Sequence, residues 1–115
     1  MTDDHDALAI LWTSGDREVA LKMVFMYTLN ARIHKWWDDI TLIVWGPSAK
    51  LLSEDKEIQA SISQLKEAGV TLEACRACSD QYGVSSTLRD LGVNVKYMGI
   101  PLTEYLKSGK VVLAV

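Results

Sequence analysis

The sequence predicts an α/β fold built on a parallel sheet with helices over both faces. Three observations lead there. Short apolar runs alternate with segments of helical periodicity in the order βαβαβαβαβ. The links between them are short, and short links between alternating elements favour parallel crossovers. Glycine or proline stands at most junctions, as at Gly46, Pro47, Gly69, Gly92 and Gly99.

Ala7 to Trp12 is a continuous apolar run of strand length, suited to burial on both faces. Thr13, Ser14, Gly15 and Asp16 turn the chain and supply a helix cap. From Arg17 to about Lys35, Val19, Met23, Met26 and Ile33 fall at helical spacing, with Asn30 as a polar exception. Asp39 to Trp45 is rich in β-branched residues and is the clearest strand. Gly46 ends it, and Pro47 suits a first helical turn, where its missing N–H costs nothing. The second helix is predicted to run to about Ala68, with Leu51, Ile58, Ile62 and Leu65 on one face and Gly69 as its stop. Val70 to Ala74 forms a third strand that Cys75 closes, and Cys78 to Leu91 is mostly helical, weakened at Gly83. Val93 to Met98 alternates apolar and polar residues, which points to an edge strand. Gly99, Ile100 and Pro101 start a short helix, Leu102 to Leu106, and a final strand, Val111 to Val115, completes the chain.

At 115 residues the chain has room for one domain, spanning 1–115 with residues 1–6 expected to be flexible. Hydrophobic residues make up 49% and charged residues 23%, a globular balance. With a net charge of −3 and no basic stripe, no nucleic-acid partner is expected. No apolar run approaches the roughly 18 residues a membrane span needs. The acidic start lacks the basic and long apolar parts of a secretory signal. A cytoplasmic location follows as the expectation, and there a cysteine pair is more often catalytic, redox-active or metal-binding than structural.

That pair is Cys75 and Cys78, at Cys-x-x-Cys spacing on a strand-to-helix turn. In parallel sheets ligands bind beyond the carboxyl ends of the strands, where Cys75 falls. A thiol facing the N-terminus of the next helix has its thiolate favoured, and Arg76 adds a positive charge beside it. Thiolate is the nucleophile of sulfur chemistry, so both cysteines are candidate catalytic residues. The plainer alternative is that they fill core, as free cysteines often do. A metal is not expected: His5 and His34 lie in the wrong segments and there is no second Cys-x-x-Cys. Thioredoxin order fails too, because two βα units precede the motif.

Other residues qualify more weakly. Ser14 and Gly15 offer backbone N–H groups to an anion, but Asp16 beside them repels one, which favours a plain capped turn. The same loop lacks the hydroxyl- and glycine-rich cradle that flavin phosphate needs. Tyr82, Tyr97 and Met98 lie near the carboxyl edge and are candidate walls of a cysteine pocket, with core packing as the alternative. His34 and Glu104 read as structural and solvated, and Trp36 and Trp37 as packing residues.

Three segments are similar to the signatures of DsrE/DsrF-like proteins. They are Cys75 to Val84 (CRACSDQYGV), Tyr97 to Lys107 (YMGIPLTEYLK) and Val44 to Leu52 (VWGPSAKLL). The resemblance covers essentially the whole chain. It implies a three-layer α/β/α sandwich with a five-stranded, mainly parallel sheet, and assembly into homo-trimers or hexamers. Sulfur-relay members of that family carry a persulfide on a cysteine that ends the third strand, eight residues before a glycine. Cys75 and Gly83 match that spacing, and Cys78 has no counterpart in those relay subunits. The resemblance implies a sulfur-carrier or thiol-transfer protein, sulfurtransferase-like, with Cys75 as carrier, no cofactor, and sulfur donor and acceptor proteins as partners. Arg76, Gly83 and Gly99 join the pocket candidates. Two other readings stay open: a non-catalytic assembly module with redox-sensitive cysteines, and an enzyme on a small ligand at the carboxyl edge.

Overall fold

The computed structural model describes residues 6–115. The expectation of a flexible start lies outside the described residues except at Asp6, whose carbonyl accepts the Asp38 N–H at 2.9 Å. Strand β1 (Ala7–Trp12) leads into α1 (Arg17–Val19), a π-helical stretch (Ala20–Phe25) and α2 (Met26–Ile33), which follow one another without a break. Next come β2 (Asp39–Val44), α3 (Pro47–Glu54), α4 (Lys56–Glu67), β3 (Thr71–Cys75), α5 (Arg76–Tyr82) and α6 (Ser85–Asp90). Strand β4 (Asn94–Lys96), α7 (Gly99–Lys107) and β5 (Val111–Ala114) finish the chain.

The sheet order is β4-β3-β2-β1-β5, and every pairing is parallel. From β1 to β4 each strand is laid down beside the last in the same direction. Right-handed crossovers then put all the intervening helices on one face. The step from β4 to β5 runs back across the sheet, so the same handedness sends α7 to the other face. The three layers are therefore unequal. The thick side buries Leu8, Ile10, Trp12, Leu42, Val44, Leu72 and Ala74 from the sheet against Val24, Phe25, Leu52, Ile58, Ile62, Leu65 and Leu88 from the helices. The thin side has a small cluster of Ala9, Ile43, Cys75 and Met98, with Leu11, Trp45, Tyr105 and Val112 only partly covered around it. Strand alternation decides the side each residue faces.

Two predicted helices are each divided. The predicted helix from Pro47 to Ala68 breaks at Asp55, whose backbone is extended (φ −106°, ψ 115°). Its carboxylate accepts the N–H groups of Glu57 and Ile58 and starts a new helix. Arg17, from the far side of the β1 turn, holds the same carboxylate at 2.7 Å. The predicted helix from Cys78 to Leu91 breaks at Gly83, which takes the left-handed conformation (φ 71°) that closes α5. The Gly83 and Val84 N–H groups return to the Asp80 and Ser79 carbonyls there. The last helix starts at Gly99, within the turn expected to start it, and runs to Lys107. The alternating strand proves to be an edge, shortened to three residues.

Candidate functional site

Strand β3 places Leu72 and Ala74 on the thick side and Glu73 and Cys75 on the thin side. Cys75 is the N-cap of α5, with extended backbone, yet its side chain makes no capping hydrogen bond. It turns into the thin-side cluster and is 6% exposed. The contact with the α5 N-terminus expected of it is thus not made by its sulfur. Cys78 is one turn into α5 and is less buried, and both thiols are free.

Cys78 packs against the cluster that contains Cys75, and the Gly46 N–H lies near the Cys78 sulfur. Burial, the largest influence, pushes the Cys78 thiol up from its ordinary value; the Gly46 N–H opposes this, and the neighbouring Cys75 adds to it. Gly46 reaches this position through a backbone (φ 73°, ψ −137°) that residues with a Cβ rarely adopt. On either side of Gly46, the Trp45 N–H is bonded to the Trp12 carbonyl at 3.1 Å and Pro47 opens α3. The Cys78 sulfur therefore sits against the junction of β2 and α3.

The pocket candidates part company in the structure. Met98 is fully buried beside Cys75. Tyr97 is 63% exposed, with the Arg76 guanidinium over its ring at 5.2 Å. Arg76 also reaches Asp80 at 3.3 Å, so its charge is directed along the outside of α5. Tyr82 and Gly15 meet instead in a cleft of about 300 Å³ with Pro47, Lys50, Leu51 and Glu54. Tyr82 lies one turn beyond Cys78 on α5, so this cleft flanks the cysteine turn without including it. The Ser14 hydroxyl accepts the Asp16 N–H, and Asp16 accepts the Val19 N–H, which is a capped turn. Gly83 shapes the α5–α6 corner, and Gly99 is exposed at the start of α7. At the β1–β5 switch point, the Val115 carbonyl accepts the Thr13 and Ser14 N–H groups and the Thr13 hydroxyl. Those bonds draw that crevice shut.

Sequence reasoning missed a polar cluster under α7. Glu73 is 4% exposed. It holds the Lys96 ammonium at 2.7 Å through one oxygen, and the Tyr105 hydroxyl donates to the other at 2.7 Å. Burial first, and then the bond to Glu73, push the Tyr105 phenol well above its ordinary value. Lys96 is the ladder partner of Cys75, so the cluster fixes the edge strand beside the thiol. The available signal was a lone charged residue inside the strand from Val70 to Ala74. Among the described residues, no three His, Cys, Asp or Glu side chains converge as a metal set. No described helix is long and apolar enough to cross a membrane.

The model of the DsrE/DsrF-like family matches residues 7–115. Among solved structures, a conserved protein of unknown function from Bacteroides thetaiotaomicron is 42% identical, with a TM-score of 0.96 over 100% of this chain and 99% of its own. The ychN protein from E. coli is 17% identical, with a TM-score of 0.73 over 95% and 97% of the two chains. A protein of unknown function from Methanobacterium thermoautotrophicum is 18% identical, with a TM-score of 0.72 over the same shares. At such identities the last two establish the fold. No curated protein matches the chain.

Proposed function

The chain belongs to the DsrE/DsrF-like family, and from that premise and the geometry of its cysteine turn we propose that it is a sulfur-carrier or thiol-transfer protein with a persulfide held on Cys75. The observation that carries this is the placement of a free thiol at the carboxyl end of β3, in an apolar nook, in contact with a second free thiol. A persulfide is a stronger nucleophile than a thiol and is readily lost to oxidants and other thiols. A nook lined by Ala9, Ile43 and Met98 shields it between donor and acceptor. No cofactor enters this chemistry, since the sulfur itself is the cargo. Donor and acceptor proteins would meet the molecule at the carboxyl edge, in the cytoplasm.

We infer further that the thin side is completed by more copies of the chain. Ile100 and Leu106 on α7 are 74% and 59% exposed, and Tyr97 adds to the same neighbourhood. That is more apolar surface than a nine-residue helix needs for solvent.

The test is intact mass after incubation with inorganic polysulfide. The expected result is a gain of one sulfur that dithiothreitol removes, that maps to Cys75, and that a variant with both Cys75→Ser and Cys78→Ser does not acquire. An unmodified protein after that treatment would refute the carrier reading. The cleft beside Tyr82 supports a second reading, an enzyme on a small ligand. That reading predicts chemistry that survives Cys75→Ser.

A further inference from the structure

Cys75 has the right chemistry for a carrier and the wrong exposure for meeting a donor. Thiolate attack on a sulfur–sulfur bond needs the incoming, central and leaving sulfurs roughly in line, and rates depend on access to that line. At 6% exposure, Cys75 offers no such approach to a donor of protein size, or even to a peptide. Cys78 differs in three respects. It is less buried, it packs from outside against the cluster that holds Cys75, and the Gly46 N–H lies near its sulfur. The Gly46 N–H offsets part of the burial that raises the Cys78 thiol, and greater exposure is what qualifies Cys78 to meet a donor.

Resting on the reading of Cys75 as carrier, we propose that Cys78 is the port of the carrier: sulfane sulfur enters on Cys78, passes inward to Cys75, and leaves by the same route. The substrate class is a hydropersulfide, R–S–SH, on a protein or small thiol. In the first step the Cys78 thiolate attacks the terminal sulfur of R–S–SH. The donor S–S bond breaks, its inner sulfur leaves with the electron pair as R–S⁻, and Cys78 becomes Cys78–S–SH. In the second step the Cys75 sulfur attacks that terminal sulfur. The S–S bond to Cys78 breaks, a new one forms to Cys75, and the Cys75 thiol proton goes to the departing Cys78 sulfur. Neither step changes the total oxidation state, so no outside oxidant or reductant is consumed. Rotation of Cys78 about its Cα–Cβ bond carries the loaded sulfur from the solvent side to Cys75. This spacing suits the exchange, because an N-cap residue and the residue three further on lie on the same side of the first helical turn.

The competing chemistry is attack by Cys75 on the inner sulfur of Cys78–S–SH. That expels hydrosulfide and leaves a Cys75–Cys78 disulfide, so the pair would reduce sulfane sulfur and store none. The apolar nook favours inward transfer by keeping the persulfide from further thiols.

The experiment is rapid-quench loading with glutathione hydropersulfide, followed by alkylation and peptide mapping. It compares the wild type with Cys78→Ser, Cys78→Ala and Cys75→Ser, each checked for native circular dichroism. In the wild type the sulfur should appear on Cys78 first and finish on Cys75. Both Cys78 variants should load Cys75 more slowly by about tenfold or more, as expected when the accessible thiol is lost. Cys75→Ser should load Cys78 at the wild-type rate and hold the sulfur there, exposed to dithiothreitol. Loading of Cys75 at the wild-type rate in both Cys78 variants overturns the port and leaves the carrier standing. A disulfide with released sulfide as the wild-type end product overturns inward transfer. No sulfane sulfur on either cysteine in any form overturns the port together with the carrier reading.

Discussion

Replacing Lys96 with methionine should destabilise the protein far more than loss of an edge-strand lysine normally does. The Lys96 side chain is 39% exposed, but its ammonium lies 2.7 Å from a Glu73 oxygen, and the Glu73 side chain is 6% exposed. Methionine keeps the apolar stem and removes the charge, leaving a carboxylate on the sheet with the Tyr105 hydroxyl as its remaining partner. Stranding one member of a fully buried pair costs about 3–5 kcal/mol, and exposed pairs contribute roughly 0–1. Because Lys96 is partly solvated and Glu73 is not, the expected loss is about 2–3 kcal/mol. Urea unfolding at pH 7 and fixed protein concentration reads it, as a lower midpoint at unchanged slope. The decisive partner is Glu73→Gln. A neutral amide still accepts the Tyr105 hydroxyl and no longer needs the ammonium, so Lys96→Met combined with Glu73→Gln should be more stable than Lys96→Met alone. A loss under about 0.5 kcal/mol, the range of a surface pair, refutes the reasoning. So does a double variant no more stable than the single one.

Other outcomes follow from the same structure. Tyr105 holds its proton in the folded state beyond the pH near 10 where an unfolded tyrosine loses it. Its contribution is therefore complete below about pH 10 and is lost as pH rises above that, and Tyr105→Phe should flatten the alkaline fall of the urea midpoint. At Gly83, φ is 71° and a Cβ would meet nothing within 4 Å, so Gly83→Ala should cost only backbone strain, about 1–2 kcal/mol by thermal unfolding, and Gly83→Asn less. Burial, with a smaller part from Cys75, raises the Cys78 thiol above 9.0, so its alkylation by iodoacetamide should still accelerate past pH 9, and Cys75→Ser should move that profile to lower pH. Sedimentation should give a mass several times 12.8 kDa, and Ile100→Glu together with Leu106→Glu should reduce it toward the monomer; monomeric wild type at tens of micromolar would refute the proposed assembly.

Local patterning made the alternation of strands and helices legible, because apolar runs such as Ala7 to Trp12 and the periodic face of Ile58, Ile62 and Leu65 carry their own signal. The breaks were less legible. Asp55 sits in a charged stretch, Glu54 to Glu57, that reads as the solvent face of one long helix, while the ion pair that anchors it comes from Arg17, 38 residues earlier. Gly83 was seen as a weak point, but a glycine mid-pattern does not say whether the helix bends or ends. The position of Cys75 at the strand end was readable, and its direction was not. Alternation along β3 ties Cys75 to Glu73 and opposes it to Leu72 and Ala74, but which of those sides is thinly covered depends on where β5 joins the sheet. Gly46 was read only as the end of a strand, and its N–H faces sulfur through a contact between elements that no local pattern encodes.

The return of the chain from β4 to β5 connects fold and chemistry. Had β5 joined beyond β4, the last crossover would have kept its helix on the thick side, and the face carrying Glu73 and Cys75 would have no helix at all. By joining beside β1, it lays α7 across that face, and α7 brings Tyr105 onto Glu73 while the turn before it brings Met98 onto Cys75. One nine-residue helix is enough to bury a thiol but too little to bury the face, and Leu11, Trp45 and Val112 remain partly open around it. Cys78, the third residue of α5, is only partly buried and packs against the thin-side cluster that holds Cys75. A pair assembled this way has one shielded member and one reachable member, the asymmetry that relaying a sulfur atom inward requires.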